Sequence, residues 1–185
     1  MLELTNIFKS YGDKTVLDGF SLKIKGGERI CLMGPSGGGK TTALRIACGL
    51  ISPDSGSVRR GYVRSACVFQ ADRLLPWYDA LANLTCLGID SAKAKSYLEK
   101  VGLTGEEHTL PEQLSGGMQR RLALARALAF GGDMYFFDEP LAGLDDATKN
   151  DVVSLLENEL MGKTALIVTH DAEAAKRLGS KIVYL

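Results

Sequence analysis

The sequence lacks several features that would place the protein in other classes. None of its apolar runs reaches the roughly 18 residues that a membrane-spanning helix needs, and its N-terminus has neither the basic start nor the apolar core of a signal peptide. Lysine plus arginine and aspartate plus glutamate number 22 each, so a net charge of zero gives no global electrostatic reason to expect a nucleic-acid partner. These absences favour a soluble cytoplasmic protein.

The four cysteines form no recognisable motif. Cys31, Cys48, Cys67 and Cys86 are widely spaced, without a CxxC pair or a nearby histidine cluster. Because the sequence shows no secretory signal, such cysteines are typical of reduced thiols in a cytosolic protein. We expect all four to be buried free thiols with no metal or disulfide role.

Glycine, in contrast, is abundant, with 21 of the 185 residues, well above the usual share of about 7%. Glycine permits tight turns and a close approach of the backbone to a ligand. The hydrophobic fraction of 45% is ordinary for a chain that buries a core, and the length suits one domain. We therefore expect a single folded domain in which several loops bring their backbone close to something.

The order of short apolar segments predicts an α/β protein. Alternating helix and apolar strand in the final third is typical of a parallel sheet with helices packed on it. Residues 71–114 have the pattern of short helices separated by Pro and Gly, and they interrupt this scheme as an insertion. The other predicted elements are strands at 2–8, 20–24, 29–33, two within 57–70, 133–137, 164–168 and 181–185, and helices at about 41–49, 115–130, 147–160 and 171–178.

Residues 34–41 read GPSGGGKT and match the phosphate-binding motif G-x-x-x-x-G-K-[ST] at every fixed position. The motif stands between a predicted strand and a predicted helix, which is the context that it needs. In such a loop, successive backbone N–H groups face phosphate oxygens, and the helix N-terminus adds a positive dipole end. The sequence therefore predicts a nucleoside triphosphate site formed by Gly34, Pro35, Ser36, Gly37, Gly38, Gly39, Lys40, Thr41 and Thr42.

Four side chains in or near this loop have predicted roles. Lys40 supplies a positive charge for the β- and γ-phosphates, and the Thr41 hydroxyl suits a Mg²⁺ ion. The apolar run 134–137 ends in Asp138 and Glu139, whose side chains point to different places because side chains alternate along a strand. We expect Asp138 to share the Mg²⁺ site with Thr41, and Glu139 to polarise the attacking water as a general base.

A second glycine-rich segment, 114–120, reads LSGGMQR and precedes a predicted helix. Ser115 can cap that helix, and Gly116 and Gly117 leave its first N–H groups open to an anion. A second phosphate site is more than one triphosphate on one chain requires. The segment resembles the signature motif of ATP-binding-cassette (ABC) ATPases, in which the signature of one subunit closes on the γ-phosphate held by the phosphate loop of its partner.

The resemblance extends along essentially the whole chain and implies roles for further positions. Tyr11 matches the aromatic residue that stacks on adenine, and Gln70 matches a glutamine that contacts Mg²⁺ and water. Residues 142–145 (AGLD) resemble the D-loop at the subunit interface, and His170 matches the switch histidine that contacts the γ-phosphate. The resemblance thus implies catalytic roles for Lys40, Gln70, Glu139 and His170, nucleotide contacts by Tyr11, Ser115, Gly116 and Gly117, and Mg²⁺ ligation by Thr41, Gln70 and Asp138.

The sequence departs from the family pattern at two places. The fifth signature residue is Met118 instead of the commoner glutamine, a variant that also occurs in import-type members. The chain stops at Leu185, directly after the last predicted strand, so we expect no inhibitory or sugar-sensing C-terminal domain.

Residues 72–77 (DRLLPW) resemble the corresponding segment of nitrate/sulfonate/taurine and thiamine import ATPases, where the family meets its membrane subunits. If exposed, these apolar residues form an interaction patch with Trp77 as an anchor. The alternative is that they pack inside the helical insertion.

The resemblance implies an ATP-hydrolysing subunit of an ABC importer, a homodimer that sandwiches two ATP–Mg²⁺ and is held at the inner face of the membrane by permease subunits. The implied fold is a P-loop NTPase core with a mostly parallel sheet, an N-terminal antiparallel β subdomain and a helical insertion. Residues 1–70 and 115–185 would form the core and β subdomain, and 71–114 the insertion. The alternatives are a non-transport ABC ATPase and an ATP-dependent switch with negligible turnover; a small-molecule kinase has no use for the second glycine-rich segment.

Overall fold

The computed structural model describes residues 1–179 and 181–185, which form two sheets and six α-helices. A short 3₁₀ turn, Pro111–Gln113, precedes the fourth helix. In chain order the elements are β1 (Leu2–Tyr11), β2 (Lys14–Ile24), β3 (Arg29–Met33), α1 (Lys40–Ala47), β4 (Ser55–Arg60), β5 (Ser65–Val68), α2 (Ala80–Thr85), α3 (Ser91–Lys100), α4 (Gly116–Phe130), β6 (Met134–Asp138), α5 (Asp146–Glu159), β7 (Thr164–Val168), α6 (Ala172–Leu178) and β8 (Lys181–Tyr184).

The two sheets confirm the predicted fold class. The N-terminal sheet is antiparallel with the strand order β2-β1-β4. The second sheet is parallel, with the order β5-β6-β7-β3-β8. In open α/β sheets, ligands bind beyond the carboxyl ends of the strands. The loops after β3, β5, β6 and β7 therefore emerge at one edge of this sheet, and they carry most of the predicted site.

The strands of the parallel sheet are apolar because both of their faces are covered. Every residue of β6 and of β7 is buried, which is the pattern expected where helices pack on both sides of a sheet. Successive side chains point to opposite faces, so the fully buried Phe136 and Phe137 belong to different core clusters. The sheet is thus a rigid base for the loops at its carboxyl edge.

Between β5 and β6 the chain forms three helices that pack together as a helical layer. α2, α3 and α4 contribute to one apolar cluster whose fully buried members include Leu84, Leu98 and Leu122. The buried Asn83 side chain accepts from Leu75 N and donates to the Leu75 carbonyl, at 2.9 and 3.1 Å. These hydrogen bonds fix the start of the helical segment to α2.

The structure differs from the sequence expectations at several boundaries. β1 continues to Tyr11, which therefore ends the strand and does not follow it. β2 begins at Lys14, well before the predicted start at Phe20. The prediction missed the first half of this strand because its residues alternate less clearly in hydrophobicity. The prediction of four buried cysteines is also wrong: Cys31 is buried, Cys48 and Cys67 are half-buried, and Cys86 is exposed.

Among the described residues, no helix combines the length and the apolar character that crossing a membrane requires.

Candidate functional site

The phosphate-binding loop connects β3 to α1, as its motif predicts, and its backbone requires glycine at particular positions. Gly39, the residue before α1, has φ +92°, a conformation that L side chains rarely adopt. A Cβ atom there would lie 2.6 Å from the carbonyl oxygen of Val16. Gly34 has φ +146°, and its Cβ would collide with the Leu185 carbonyl. The glycines therefore permit both the turn and its close packing.

Lys40 is the first residue of α1, and its side chain is buried. Its Nζ atom donates hydrogen bonds to the carbonyl oxygens of Gly34 and Pro35, at 2.9 and 2.7 Å. The ammonium group therefore lies within the loop that the motif assigns to phosphate. Since an ammonium group has three donors, one remains for a further acceptor.

A cleft of about 460 Å³ opens in front of this loop, within the range of about 300–1,000 Å³ that is usual for small-molecule sites. Both sheets contribute to it. Three of its residues, Lys14, Val16 and Val168, were not predicted from the sequence; the first two lie in the part of β2 that the hydrophobic pattern did not reveal. The predicted residues that line it are Tyr11, Ser36, Gly37, Gly39, Lys40, Thr41, Thr42, Gln70 and Glu139.

Thr41 and Asp138 lie next to each other although they are far apart in the sequence. The Thr41 hydroxyl donates to Oδ1 of Asp138 at 3.1 Å. Burial raises the pKa of Asp138 above its usual value, although the hydrogen bond from Thr41 opposes this rise. The other carboxylate oxygen, Oδ2, is buried and has no hydrogen-bond partner within residues 1–179 and 181–185. A buried acceptor without a partner is costly, and it fits a cation.

Glu139 has a strained backbone and a defined neighbour. Its φ of +52° lies in the left-handed region, and its N–H donates to the Val168 carbonyl at 2.9 Å. His170 Nδ1 lies 2.8 Å from Oε2 of the Glu139 side chain, and the imidazole itself is largely exposed. Strained residues cluster at functional sites, and this one presents a carboxylate to the cleft beside an exposed histidine.

Two arginines of α4 hold the segment that carries Gln70, a feature that sequence reasoning missed. Arg120 is buried, and its guanidinium donates to the carbonyls of Phe69 and Gln70 at 2.7 and 2.5 Å. Arg126 donates to the carbonyls of residues 72–73, at 3.1 and 2.9 Å. The available signal was three arginines, Arg120, Arg121 and Arg126, in a helix whose other residues after Gln119 are apolar.

The second glycine-rich segment begins α4 as expected. Ser115 caps the helix, since its Oγ accepts from Met118 N–H at 3.2 Å. Among the described residues that line the cleft, however, Ser115, Gly116 and Gly117 do not occur. A Cβ on Gly117 would lie 3.5 Å from the Gly143 carbonyl, in the AGLD segment. Within one chain, the structure therefore brings these two segments together, and neither lines the cleft.

For the segment 72–77, the sequence left two alternatives open: an exposed interaction patch, or packing inside the helical insertion. Leu74 packs against the apolar clusters of the core and the helical layer. Trp77, in contrast, exposes 77% of its surface. The packing alternative is thus correct for Leu74 and wrong for Trp77.

The comparisons with known proteins agree with this geometry. A family model described as "ABC transporter" matches residues 17–142, about two thirds of the chain. The chain belongs to the ABC transporter family. This membership confirms the resemblance inferred from the motifs.

Two relatives of this ABC transporter chain are named as import ATP-binding proteins. It is 42% identical to the aliphatic sulfonates import ATP-binding protein SsuB 1 of Rhodococcus jostii (strain RHA1), an alignment that covers all of this chain and 78% of that protein. It is 40% identical to SsuB of Rhodopseudomonas palustris (strain BisA53), with 100% and 70% coverage. Among solved structures, a dimeric post-hydrolysis state of the ATP-binding cassette MJ0796 bound to ADP and Pi matches with a TM-score of 0.92 at 32% identity, over 100% of this chain and 94% of that one.

Proposed function

We propose that this chain is the ATP-hydrolysing subunit of an ABC importer, which couples closure of an ATP-bound homodimer to solute movement through membrane subunits. One observation carries the proposal: Lys40, Thr41 and Glu139 line a single cleft, where Thr41 is hydrogen-bonded to Asp138 and Glu139 contacts His170. The import ATP-binding relatives support the transport role. The dimeric ATP-binding cassettes support the homodimer.

Nucleotide binding divides between the two sheets. The phosphate loop from 34 to 42 takes the phosphates through its backbone N–H groups and Lys40, as helix N-termini commonly do. Tyr11 lies at the end of β1, lines the cleft and is half-exposed, so one face of its ring is available for adenine. The antiparallel sheet thus holds the base, and the parallel sheet holds the phosphates.

Mg²⁺ would be held by Thr41, Asp138 and Gln70. The unpartnered Oδ2 atom of Asp138 fits a cation, and hydroxyl, carboxylate and amide oxygens are the donors that Mg²⁺ prefers. When bound, the ion neutralises charge on the phosphate oxygens. Arg120 contributes by fixing the backbone that carries Gln70.

Hydrolysis follows from the position of Glu139. Its carboxylate lines the cleft beyond the phosphate loop and can accept a proton from an attacking water. His170 contacts that carboxylate from an exposed position, so it can hold the base in place and reach a γ-phosphate in the closed site. Most of the rate enhancement then comes from positioning and charge stabilisation.

The signature acts in the partner's site. Ser115, Gly116 and Gly117 form an open helix N-terminus outside their own cleft, and nothing within 4 Å would contact a Cβ at Gly116. A second copy, placed so that this N-terminus faces its phosphate loop, completes two identical sites. Each ATP is then enclosed by both subunits.

Ser115→Arg should lower ATP hydrolysis about 100-fold, because losing one hydrogen-bond donor to developing charge, here the serine hydroxyl, costs about 10²–10³-fold and the arginine blocks the approach of the two subunits. ATP affinity of the isolated chain should be unchanged, since Ser115 does not line its own cleft. Phosphate release and nucleotide titration measure the two quantities. Ser91→Arg, at the exposed first residue of α3, is the matched control.

A mixing experiment separates action in the partner's site from action in the same chain. Ser115→Arg retains an intact phosphate loop, and Lys40→Met retains an intact signature. Mixed dimers therefore contain one complete composite site. At an ATP concentration too low to occupy Lys40→Met, hydrolysis should rise above that of either variant when the two are combined. If the mixture is no more active than either variant alone, or if Ser115→Arg weakens ATP binding as much as turnover, the cross-subunit role is wrong.

The helical insertion, residues 71–114, would form a subdomain that changes its position with the bound nucleotide and contacts the membrane subunits. The exposed Trp77 follows the segment that Arg126 holds, so a rearrangement around Gln70 reaches it through a short stretch of chain. The remaining ranges, 1–70 and 115–185, form the nucleotide-binding core with its β subdomain. Binding through Trp77 would place the chain at the inner face of the membrane.

Trp77→Ala should weaken association with the membrane subunits about 30-fold, since a buried tryptophan anchor contributes about 2 kcal/mol or more. ATP affinity should not change. The measurement is co-purification with the membrane subunits together with nucleotide titration. Met161→Ala removes a similarly exposed apolar side chain elsewhere and should affect neither. A loss of ATP affinity with unchanged association would contradict the docking role.

A further inference from the structure

Lys14, a residue without a role so far, is the first residue of β2 and lines the nucleotide cleft. It is the register partner of Tyr11, the last residue of β1, across a tight turn of the antiparallel sheet. Residues that are directly paired in antiparallel strands have their Cβ atoms about 4.5–5.5 Å apart on one face of the sheet. Lys14 therefore stands beside Tyr11, at the adenine end of the cleft.

The same strand leads from Lys14 towards the phosphate loop. Val16, two residues further on, also lines the cleft, because side chains two apart in a strand share a face. A Cβ atom on Gly39 would lie 3.0 Å from Cγ1 of Val16, so Val16 abuts the residue that precedes α1. Two strand residues span about 7 Å. Lys14 is therefore one short step from the phosphate loop, between the base and the phosphates.

The ammonium group of Lys14 is available for a ligand. The residue is exposed, and its side chain has no hydrogen-bond or ion-pair partner within residues 1–179 and 181–185. Lys9, the other lysine beside Tyr11, differs: its Nζ atom pairs with Asp54 at 2.6 Å and lies 5.6 Å from the centroid of the Tyr11 ring. Of the described residues that line the cleft, two carry a positive charge, Lys14 and Lys40.

The two lysines stand at different parts of a bound nucleotide. Lys40 begins α1 and belongs to the β- and γ-phosphates, the same two groups that Mg²⁺ bridges in phosphate-loop enzymes. The α-phosphate joins the ribose to the β-phosphate, so it lies between an adenine stacked on Tyr11 and the phosphates at Lys40. That is the part of the cleft where Lys14 stands, and a negatively charged phosphate there still needs a cation.

We propose that Lys14 binds the α-phosphate of the nucleotide, an assignment that rests on the proposed function for the presence of a nucleotide in the cleft. An ammonium group on a flexible stem has three donors and no acceptor, which suits a phosphate. Because ATP and ADP share the α-phosphate, Lys14 holds substrate and product equally. It therefore sets how tightly the cleft retains ADP after hydrolysis, and it adds no selectivity for the γ-phosphate.

Lys14→Met should weaken the binding of ATP and of ADP by the same factor, about tenfold, the lower end of the range for a charge-assisted hydrogen bond because Lys14 is exposed. Lys14→Arg keeps the charge and should restore most of the affinity, whereas Lys14→Glu should lose more than Lys14→Met. Nucleotide titration measures each variant. In turnover, KM should rise with little change in kcat, since the contact is the same in the ground and transition states. Lys25→Met, at an exposed lysine directly after β2 and outside the cleft, is the matched control.

Nucleotide analogues locate the contact. The loss in Lys14→Met should be the same for GTP and for 2′,3′-dideoxy-ATP as for ATP, because all three keep the α-phosphate. A loss for ATP but not for ADP would assign Lys14 to the γ-phosphate, one that disappears with dideoxy-ATP to the ribose, and one that differs for GTP to the base; each would overturn the proposal. Equal ATP affinity of Lys14→Met and the wild-type chain would also overturn it and leave the proposed function standing. A wild-type chain that binds no ATP would contradict both.

Discussion

Glu139→Gln should lower ATP hydrolysis about 10²–10⁴-fold, the range for loss of a general base, and leave ATP binding intact. Glutamine has the size of glutamate and can still hydrogen-bond to His170, so the Glu139–His170 contact at 2.8 Å has a substitute. It cannot accept a proton from water at neutral pH. The ATP-bound dimer should therefore form and persist, because the step that ends it is blocked.

The measurements for this variant are phosphate release at saturating ATP, nucleotide affinity, and size-exclusion chromatography with ATP present. Glu112→Gln, at an exposed position in the 3₁₀ turn before α4, makes the same chemical change outside the cleft and should behave as wild type. Unchanged hydrolysis in Glu139→Gln would disprove the general-base role. Negligible hydrolysis by the wild-type chain itself would favour the alternative of an ATP-dependent switch.

Lys40→Met should lower ATP affinity about 10- to 100-fold. A charge-assisted hydrogen bond contributes about 1.5–3 kcal/mol, and each 1.4 kcal/mol corresponds to a factor of ten. Methionine preserves the apolar stem of this buried side chain but removes the ammonium group that bonds to the carbonyls of Gly34 and Pro35. The loop thus loses both its charge and a support for its own backbone.

Nucleotide titration of Lys40→Met should be compared with Lys163→Ala, which removes an exposed lysine outside the cleft. Thermal unfolding distinguishes a loss of binding from a loss of fold, because the core clusters around β6 and β7 do not depend on this ammonium group. If ATP affinity stayed at the wild-type level, the phosphate contact assigned to Lys40 would be wrong.

The phosphate loop and the carboxylates after β6 were predictable because each is a continuous stretch with a strand or helix beside it. Motif, strand and helix all point to the same local geometry there. The hydrophobic pattern of β6 and β7 is likewise continuous, since both faces of those strands are covered. Local sequence therefore specifies the phosphate side of the site.

The remaining features depend on contacts between distant parts of the chain. Arg120 reaches the carbonyl of Phe69, 51 positions away, and nothing in either local sequence indicates the partner. The expectation of four buried thiols was wrong for Cys48, Cys67 and Cys86 because their exposure depends on which distant parts of the chain pack over them.

The left-handed backbone of Glu139 makes stability and catalysis compete for one position. An L-residue at φ +52° costs about 1–2 kcal/mol relative to an ordinary conformation, whereas glycine tolerates it. Glycine there would relax the turn after β6 but remove the carboxylate from the cleft. The residue best suited to the turn would thus remove the proposed general base, and the buried strands β6 and β7 supply the stability that lets the chain keep glutamate here.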